Sequence, residues 1–146
     1  MPRYFTLAEA ERLLPHVEEQ IRQAIHLKQE HEQAHEQIQH TAQRVAMAGG
    51  MLVNREELLS WRARMDATAL RLKEIIESIH EAGCQIKDLD IGLLDFPTLF
   101  RGEEVLLCWK LGEKGIHFWH GLQEGFRGRR TIDQEFLDHH RGDTAQ

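Results

Sequence analysis

The stretch Val105-Leu106-Leu107-Cys108-Trp109-Lys110-Leu111-Gly112-Glu113-Lys114-Gly115-Ile116-His117-Phe118-Trp119-His120 decides how this chain folds. Two apolar runs, 105–111 and 116–120, flank a link that begins and ends with glycine, the pattern of a β-hairpin. Setting Leu111 against Ile116 places Trp109 opposite Phe118, Leu107 opposite His120, Cys108 opposite Trp119 and Lys110 opposite His117. In this register the Trp109/Phe118 face is the more apolar and is expected to lie on helices, with Trp119 on the other face. Cys108 and His120 then point to opposite faces, and Cys108 with His117 makes only a diagonal pair, so no metal is assigned here. A bulge would reverse these assignments, because strand side chains alternate with period two.

Working outward, the segment before the hairpin is helical. Thr6-Leu7-Ala8-Glu9 is a capping box, and Leu7, Ala10, Leu14, Val17, Ile21 and Ala24 follow at alternating spacings of three and four. Pro15 can kink the first turns. The stripe continues through Leu27, His31, Ala34, Ile38, Thr41 and Val45, giving a first helix over 6–48 that ends at Gly49-Gly50. Asn54 with Glu57 three residues on starts a second helix over 54–82, whose inner stripe is Leu58, Trp61, Met65, Thr68, Leu72, Ile75 and Ile79. A short connector makes the two antiparallel. The apolar first turns of helix one then outrun helix two and need a cover, which only the C-terminal third can supply. Ile86–Ile91 reads as a short strand, and Gly92–Gly102 as a shaped loop around Phe96-Pro97. The expected fold is mainly α with a small β element: a long antiparallel helical hairpin capped by a C-terminal β-hairpin. It forms a single domain over 1–137, with the β-rich cap at 84–137 and a flexible tail at 138–146.

Composition narrows the function classes. A net charge of −6 disfavours nucleic acid as a partner. No apolar run reaches the roughly 18 residues that cross a bilayer, so no membrane association is expected. The start lacks the basic-then-apolar form of a secretory signal, and two cysteines fit a reducing compartment, so the expected location is cytoplasmic.

Phe5-Thr6-Leu7-x-Glu9-Ala10, Leu13-Leu14-Pro15, Gly83, Lys87-Asp88, Gly92-Leu93-Leu94-Asp95-Phe96-Pro97, Leu107-Cys108-Trp109-Lys110-x-Gly112-Glu113, Trp119-His120 and Gly125-Phe126-x-Gly128-Arg129 recur in order and spacing. In these the chain resembles a small bacterial family classed only as a domain of unknown function (DUF2203). The resemblance covers nearly the whole chain apart from the middle of the helical hairpin and the tail. It implies a helical hairpin with a small C-terminal β element, and it brings no activity, substrate or cofactor. Thr131 stands where that family tends to carry proline.

Four groups of residues could carry chemistry. His31-Glu32-Gln33-Ala34-His35 matches the H-E-x-x-H pattern, in which two imidazoles one helical turn apart share a zinc ion and the glutamate activates its water. The match lies in a run rich in Gln, Glu and His, and a zinc peptidase also needs a third ligand and a shielding cleft, so this is a weak alternative. Asp88, Asp90, Asp95 and Glu113 cluster near turns, where carboxylates more often cap amides than work as acids or bases. Gly125-Phe126-Arg127-Gly128-Arg129-Arg130 is a basic island in an acidic chain, fit for an anion or for the protein's own acids. Trp109, Phe118, Trp119 and Phe126 could line a pocket or fill a core.

The resulting expectation is a non-catalytic interaction or scaffold module that self-associates, with no cofactor and no metal. The alternative is a small ligand- or anion-binding protein or hydrolase with its site in the cap, at Asp88, Asp95, Trp119, His120, Arg127 and Arg129, taking a small anionic ligand.

Overall fold

The computed structural model describes residues 3–47 and 55–143. The expected helix end at Gly49-Gly50 and the Asn54 cap lie outside them. In chain order the elements are α1 (Leu7–Met47), α2 (Arg55–Glu81), β1 (Gln85–Asp88), β2 (Leu93–Phe100), β3 (Glu103–Lys110), β4 (Phe118–Gly121), a 3-10 turn (Phe126–Gly128), β5 (Arg130–Thr131), α3 (Gln134–His139) and β6 (His140–Arg141). The protein is mainly α with a small antiparallel sheet. Two compact units divide the chain: residues 1–22 with 76–146, and residues 23–75.

The first unit is the head. The Thr6 amide donates to Glu9 Oε1 at 2.9 Å and the Glu9 amide to Thr6 Oγ1 at 3.1 Å, the reciprocal capping box read from the sequence. α1 then continues through Pro15. Ala10, Leu14, Val17 and Ile21 are buried, as are Leu94, Phe96, Leu107 and Trp109 of the sheet. The Phe5 and Phe96 rings meet edge to face at 5.5 Å, and the Ile116 amide donates to Glu11 Oε1 at 3.2 Å. The first turns of α1 are therefore covered by the C-terminal third. Each large apolar side chain removed from water here contributes about 1.5–3 kcal/mol.

The sheet runs β1-β2-β3-β4-β5, with β6 paired to β2. β2 occupies most of the segment expected as a loop around Phe96-Pro97. The proline costs no ladder bond: Pro97 O accepts from the Phe5 amide at 2.7 Å, so the proline nitrogen also faces away from β3. β2 turns into β3 through Arg101 and Gly102, both at positive φ (53° and 83°), the type I′ geometry of a two-residue hairpin.

The β3–β4 register differs by one residue from the sequence expectation. Val105 pairs with Gly121, Leu106 with His120, Leu107 with Trp119 and Cys108 with Phe118. The cause is an ordered, irregular link. Trp109 Nε1 donates to Glu113 O at 3.0 Å, the Lys110 amide donates to Glu113 Oε1 at 2.7 Å, and the His117 ring closes on Lys114 O. His117 is thereby held out of the β3 ladder. Trp109 and Phe118 consequently lie on opposite faces, and Trp119 shares the face of Trp109. Residues 139–143, expected as part of a flexible tail, are structured: β6 pairs Leu99 with Arg141 and Phe100 with His140, and the Asp143 amide donates to Tyr4 O at 3.0 Å.

The second unit, residues 23–75, is a helical stem formed by parts of α1 and α2. Among its described residues Ala24, Leu27, Ala34, Thr41 and Thr68 are buried. Arg44 approaches Glu57 at 3.6 Å.

Candidate functional site

Three adjacent strands of the head each place one polar side chain on a single sheet face. Asp95 comes from β2 and Cys108 lies directly opposite it on β3. His120 of β4 follows two residues after Phe118, the partner of Cys108. The alternation of strand side chains makes this convergence depend on register alone. All three are buried, at 0%, 0% and 2% exposure. One donor atom from each lies within 4.8 Å of the others.

The proton inventory of this cluster follows from its contacts. His120 Nδ1 lies 2.8 Å from Gly121 O, and a carbonyl can only accept, so Nδ1 carries a hydrogen. In the neutral ring Nε2 then holds a lone pair, yet it faces Asp95 Oδ1 at 3.1 Å. Two lone pairs cannot share that line without a proton between them. Whether that proton is written on the carboxyl or on the ring, the pair is neutral overall, as a site closed to water requires. Asp95 Oδ2 is buried with no nitrogen or oxygen donor on it among the described residues, and the Cys108 thiol hydrogen-bonds the Asp95 carboxyl. Burial pushes the Asp95 carboxyl above its ordinary range, and the charge of His120 opposes the shift. Burial also pushes the Cys108 thiol up to about 12, with Asp95 adding to the effect. Cys84, a second buried cysteine in the head, is pushed up to about 12 by the same desolvation. Both are thiols at neutral pH, which removes them as ready nucleophiles.

Of the six residues proposed from sequence for a cap site, only Asp95 and His120 meet. Trp119 packs on the opposite face, 5.2 Å from Phe100 and 5.0 Å from Phe136, centroid to centroid. Arg129 reaches Glu113 with one guanidinium nitrogen at 2.7 and 2.9 Å, and its guanidinium lies 4.0 Å from the Phe118 ring centroid and 4.6 Å from that of Phe126. Asp88 is exposed and accepts from the Asp90 amide at 3.0 Å, the ordinary work of a turn carboxylate. Arg127 stands exposed in the 3-10 turn, while Arg130 pairs with Glu124 at 2.7 Å. Cys108, excluded by the expected register, is the member that sequence reasoning missed. The available signal was the odd-or-even length of the unpaired link, which glycine placement does not determine.

The H-E-x-x-H histidines lie on α1 in the stem, His31 half-buried and His35 exposed. Among the described residues no third ligating side chain joins them, and the one group of three is Asp95, Cys108 and His120. No helix is long and apolar enough to cross a membrane.

The protein is thus α-rich, with a β-sheet on the first turns of a long helix and a buried Asp–Cys–His cluster in that sheet. The chain belongs to the family described as uncharacterized conserved protein DUF2203, whose model matches residues 3–132. No curated protein and no solved structure matches it.

Proposed function

We propose that the protein is a non-catalytic module that self-associates, with a second copy of its own stem as the partner. The observation that carries this reading is a second apolar stripe on α2. Leu58, Trp61, Met65, Thr68, Leu72 and Ile75 form the inner stripe at spacings of three and four. Leu59, Ala63, Ala67 and Leu70 form another, wholly on the exposed side, with Leu59 at 58% and Leu70 at 59% exposure. A pair of helices buries one seam only, and a unit this small lacks a second layer to close its core. A second hairpin supplies that layer, giving four helices packed at the shallow angle of a bundle.

Two features favour a copy of this chain over another partner. An isologous contact sets the same stripe against itself, so apolar meets apolar on both sides of the two-fold axis. Beside the stripe runs a groove lined by Leu27, Ala67 and Thr68 and edged by Glu30, Arg64 and Arg71, which offers both charges to a two-fold mate. Anion binding is less well supported, since Arg129 and Arg130 are engaged by Glu113 and Glu124.

Sedimentation equilibrium of the whole chain at micromolar concentration tests this. The expected result is a dimer or higher assembly that becomes monomeric in Leu59→Glu/Leu70→Glu while far-ultraviolet circular dichroism keeps its helical form. A monomeric native chain would overturn the proposal.

A further inference from the structure

Between His120 Nε2 and Asp95 Oδ1 the metal-free fold holds one shared proton, and Cys108 lies beside that pair. We propose that Asp95, Cys108 and His120 bind one divalent transition ion of the zinc class, with His120 Nε2, Cys108 Sγ and an Asp95 carboxylate oxygen as ligands. Three observations carry this. The three donors lie within 4.8 Å of one another. Zinc bonds of about 2.0–2.3 Å set tetrahedral ligand atoms roughly 3.3–3.8 Å apart, so small rotamer adjustments close the cluster around an ion. The Asp95 carboxyl is buried and its side-chain partners are His120 and the Cys108 thiol, the other two proposed ligands, so the three donor groups already converge. The Nδ1–H of His120 is anchored on Gly121 O, the outer contact that fixes a ligating imidazole with its Nε2 lone pair inward.

Charge and ligand chemistry select the ion. Binding displaces two protons, one from the Cys108 thiol and one shared by Asp95 and His120. The product is a divalent cation with one thiolate, one carboxylate and one neutral imidazole. That sum is zero, so the buried site stays neutral on exchange. A thiolate and an imidazole in the set disfavour calcium and magnesium, which take oxygen ligands, and suit zinc, cobalt and nickel. With three protein ligands the fourth position of a tetrahedron falls to one water, which leaves the sum at zero.

The test uses whole, untagged protein stripped with chelator and titrated with cobalt(II) chloride, then with zinc chloride in competition. The expected result is one equivalent of cobalt giving thiolate-to-cobalt charge-transfer absorption in the near ultraviolet together with tetrahedral visible bands, both abolished by one equivalent of zinc. Cys108→Ser loses the charge-transfer band, and His120→Gln loses the tetrahedral spectrum. Cys84→Ser and His31→Ala/His35→Ala keep both. Circular dichroism and tryptophan emission on each variant separate lost ligation from lost folding. Should Cys108→Ser fail to fold, proton release on zinc binding, read with an indicator in weakly buffered solution, replaces it, with two protons released per zinc expected. Absence of cobalt bands in the folded native chain, or bands that follow His31/His35 or Cys84, would overturn the proposal.

Discussion

The buried pair of Asp95 and His120 should behave as a coupled unit, and the metal-free protein in chelator is where that coupling is measured. His120→Leu takes from the buried Asp95 carboxyl its imidazole partner and leaves it the Cys108 thiol alone. Removing one member of a buried pair costs about 3–5 kcal/mol. Asp95→Val is the milder change. The imidazole keeps its Nδ1–H on Gly121 O and loses one acceptor contact, which costs about 1–3 kcal/mol. Replacing both removes the need for a cation altogether, leaving about 1–2 kcal/mol of imperfect packing. The double variant is thus less damaged than the sum of the singles, with a coupling of at least about 2 kcal/mol. Urea unfolding followed by tryptophan emission measures all four corners of the cycle, with buried Trp109 as a reporter in the head. Additivity within about 0.5 kcal/mol, or a greater loss in Asp95→Val than in His120→Leu, would refute the proton inventory given above.

Three further outcomes are expected. Gly92→Ala should cost about 2–4 kcal/mol, because it combines a positive φ of 66° with a Cβ only 2.5 Å from Leu111 Cβ, whereas Gly102→Ala, at φ 83° with no atom within 4 Å, should cost about 1 kcal/mol; equal losses in urea unfolding would contradict this. Cys84 and Cys108, both buried with thiols pushed up to about 12, should resist a thiol-specific disulfide reagent in the native protein at neutral pH and react in urea, so rapid native labelling would count against their burial. The Glu124 carboxylate is held below its ordinary value of 4.5, first by the Gly121 amide at 2.8 Å and further by Arg130. Its stabilisation is therefore present above that value and lost as pH falls through the lower folded-state value, and Glu124→Gln should flatten this part of the acid limb in thermal melts; an unchanged acid slope would refute the assignment.

What could be read from the chain was what local rules govern. The capping box at Thr6 and Glu9 and the three-four spacing of Ala10, Leu14, Val17 and Ile21 are short-range patterns, and each has its counterpart in the head. The need for a cover on those turns followed from counting apolar residues against available partners. β2 escaped the reading because a proline between glycines signals a loop. It is tolerated there only because the N-terminal segment, about ninety residues earlier in the chain, supplies the contact on that side of the strand. α3 and β6 escaped for a related reason. Asp133 caps α3 through Phe136, but so short a helix has little stability of its own. It rests on stacking of Phe136 with Phe100, Trp119 and His140, contacts that pattern along the chain cannot reveal.

The cluster itself turns on one residue of register. Pairing Leu111 with Ile116 is the natural reading of glycines at 112 and 115, and it sends Cys108 and His120 to opposite sides. In the structure the ladder ends instead at Cys108 and Phe118, and residues 109–117 form the link. The parity changes because the link is held by side chains, not by a turn type. Glu113 accepts from the Lys110 amide and from Arg129, its carbonyl accepts from Trp109, and Glu11 of α1 accepts from the Ile116 amide. Each of these contacts favours the register in which Asp95, Cys108 and His120 share a face. Glu113, read from the sequence as one of four carboxylates near turns, therefore acts on the cluster through the link it holds. A substitution there that slips the strand by one residue would separate Cys108 from His120 and turn one of them toward the helix-facing side of the sheet. The buried cluster and the docking of the head onto α1 are thus two consequences of a single register.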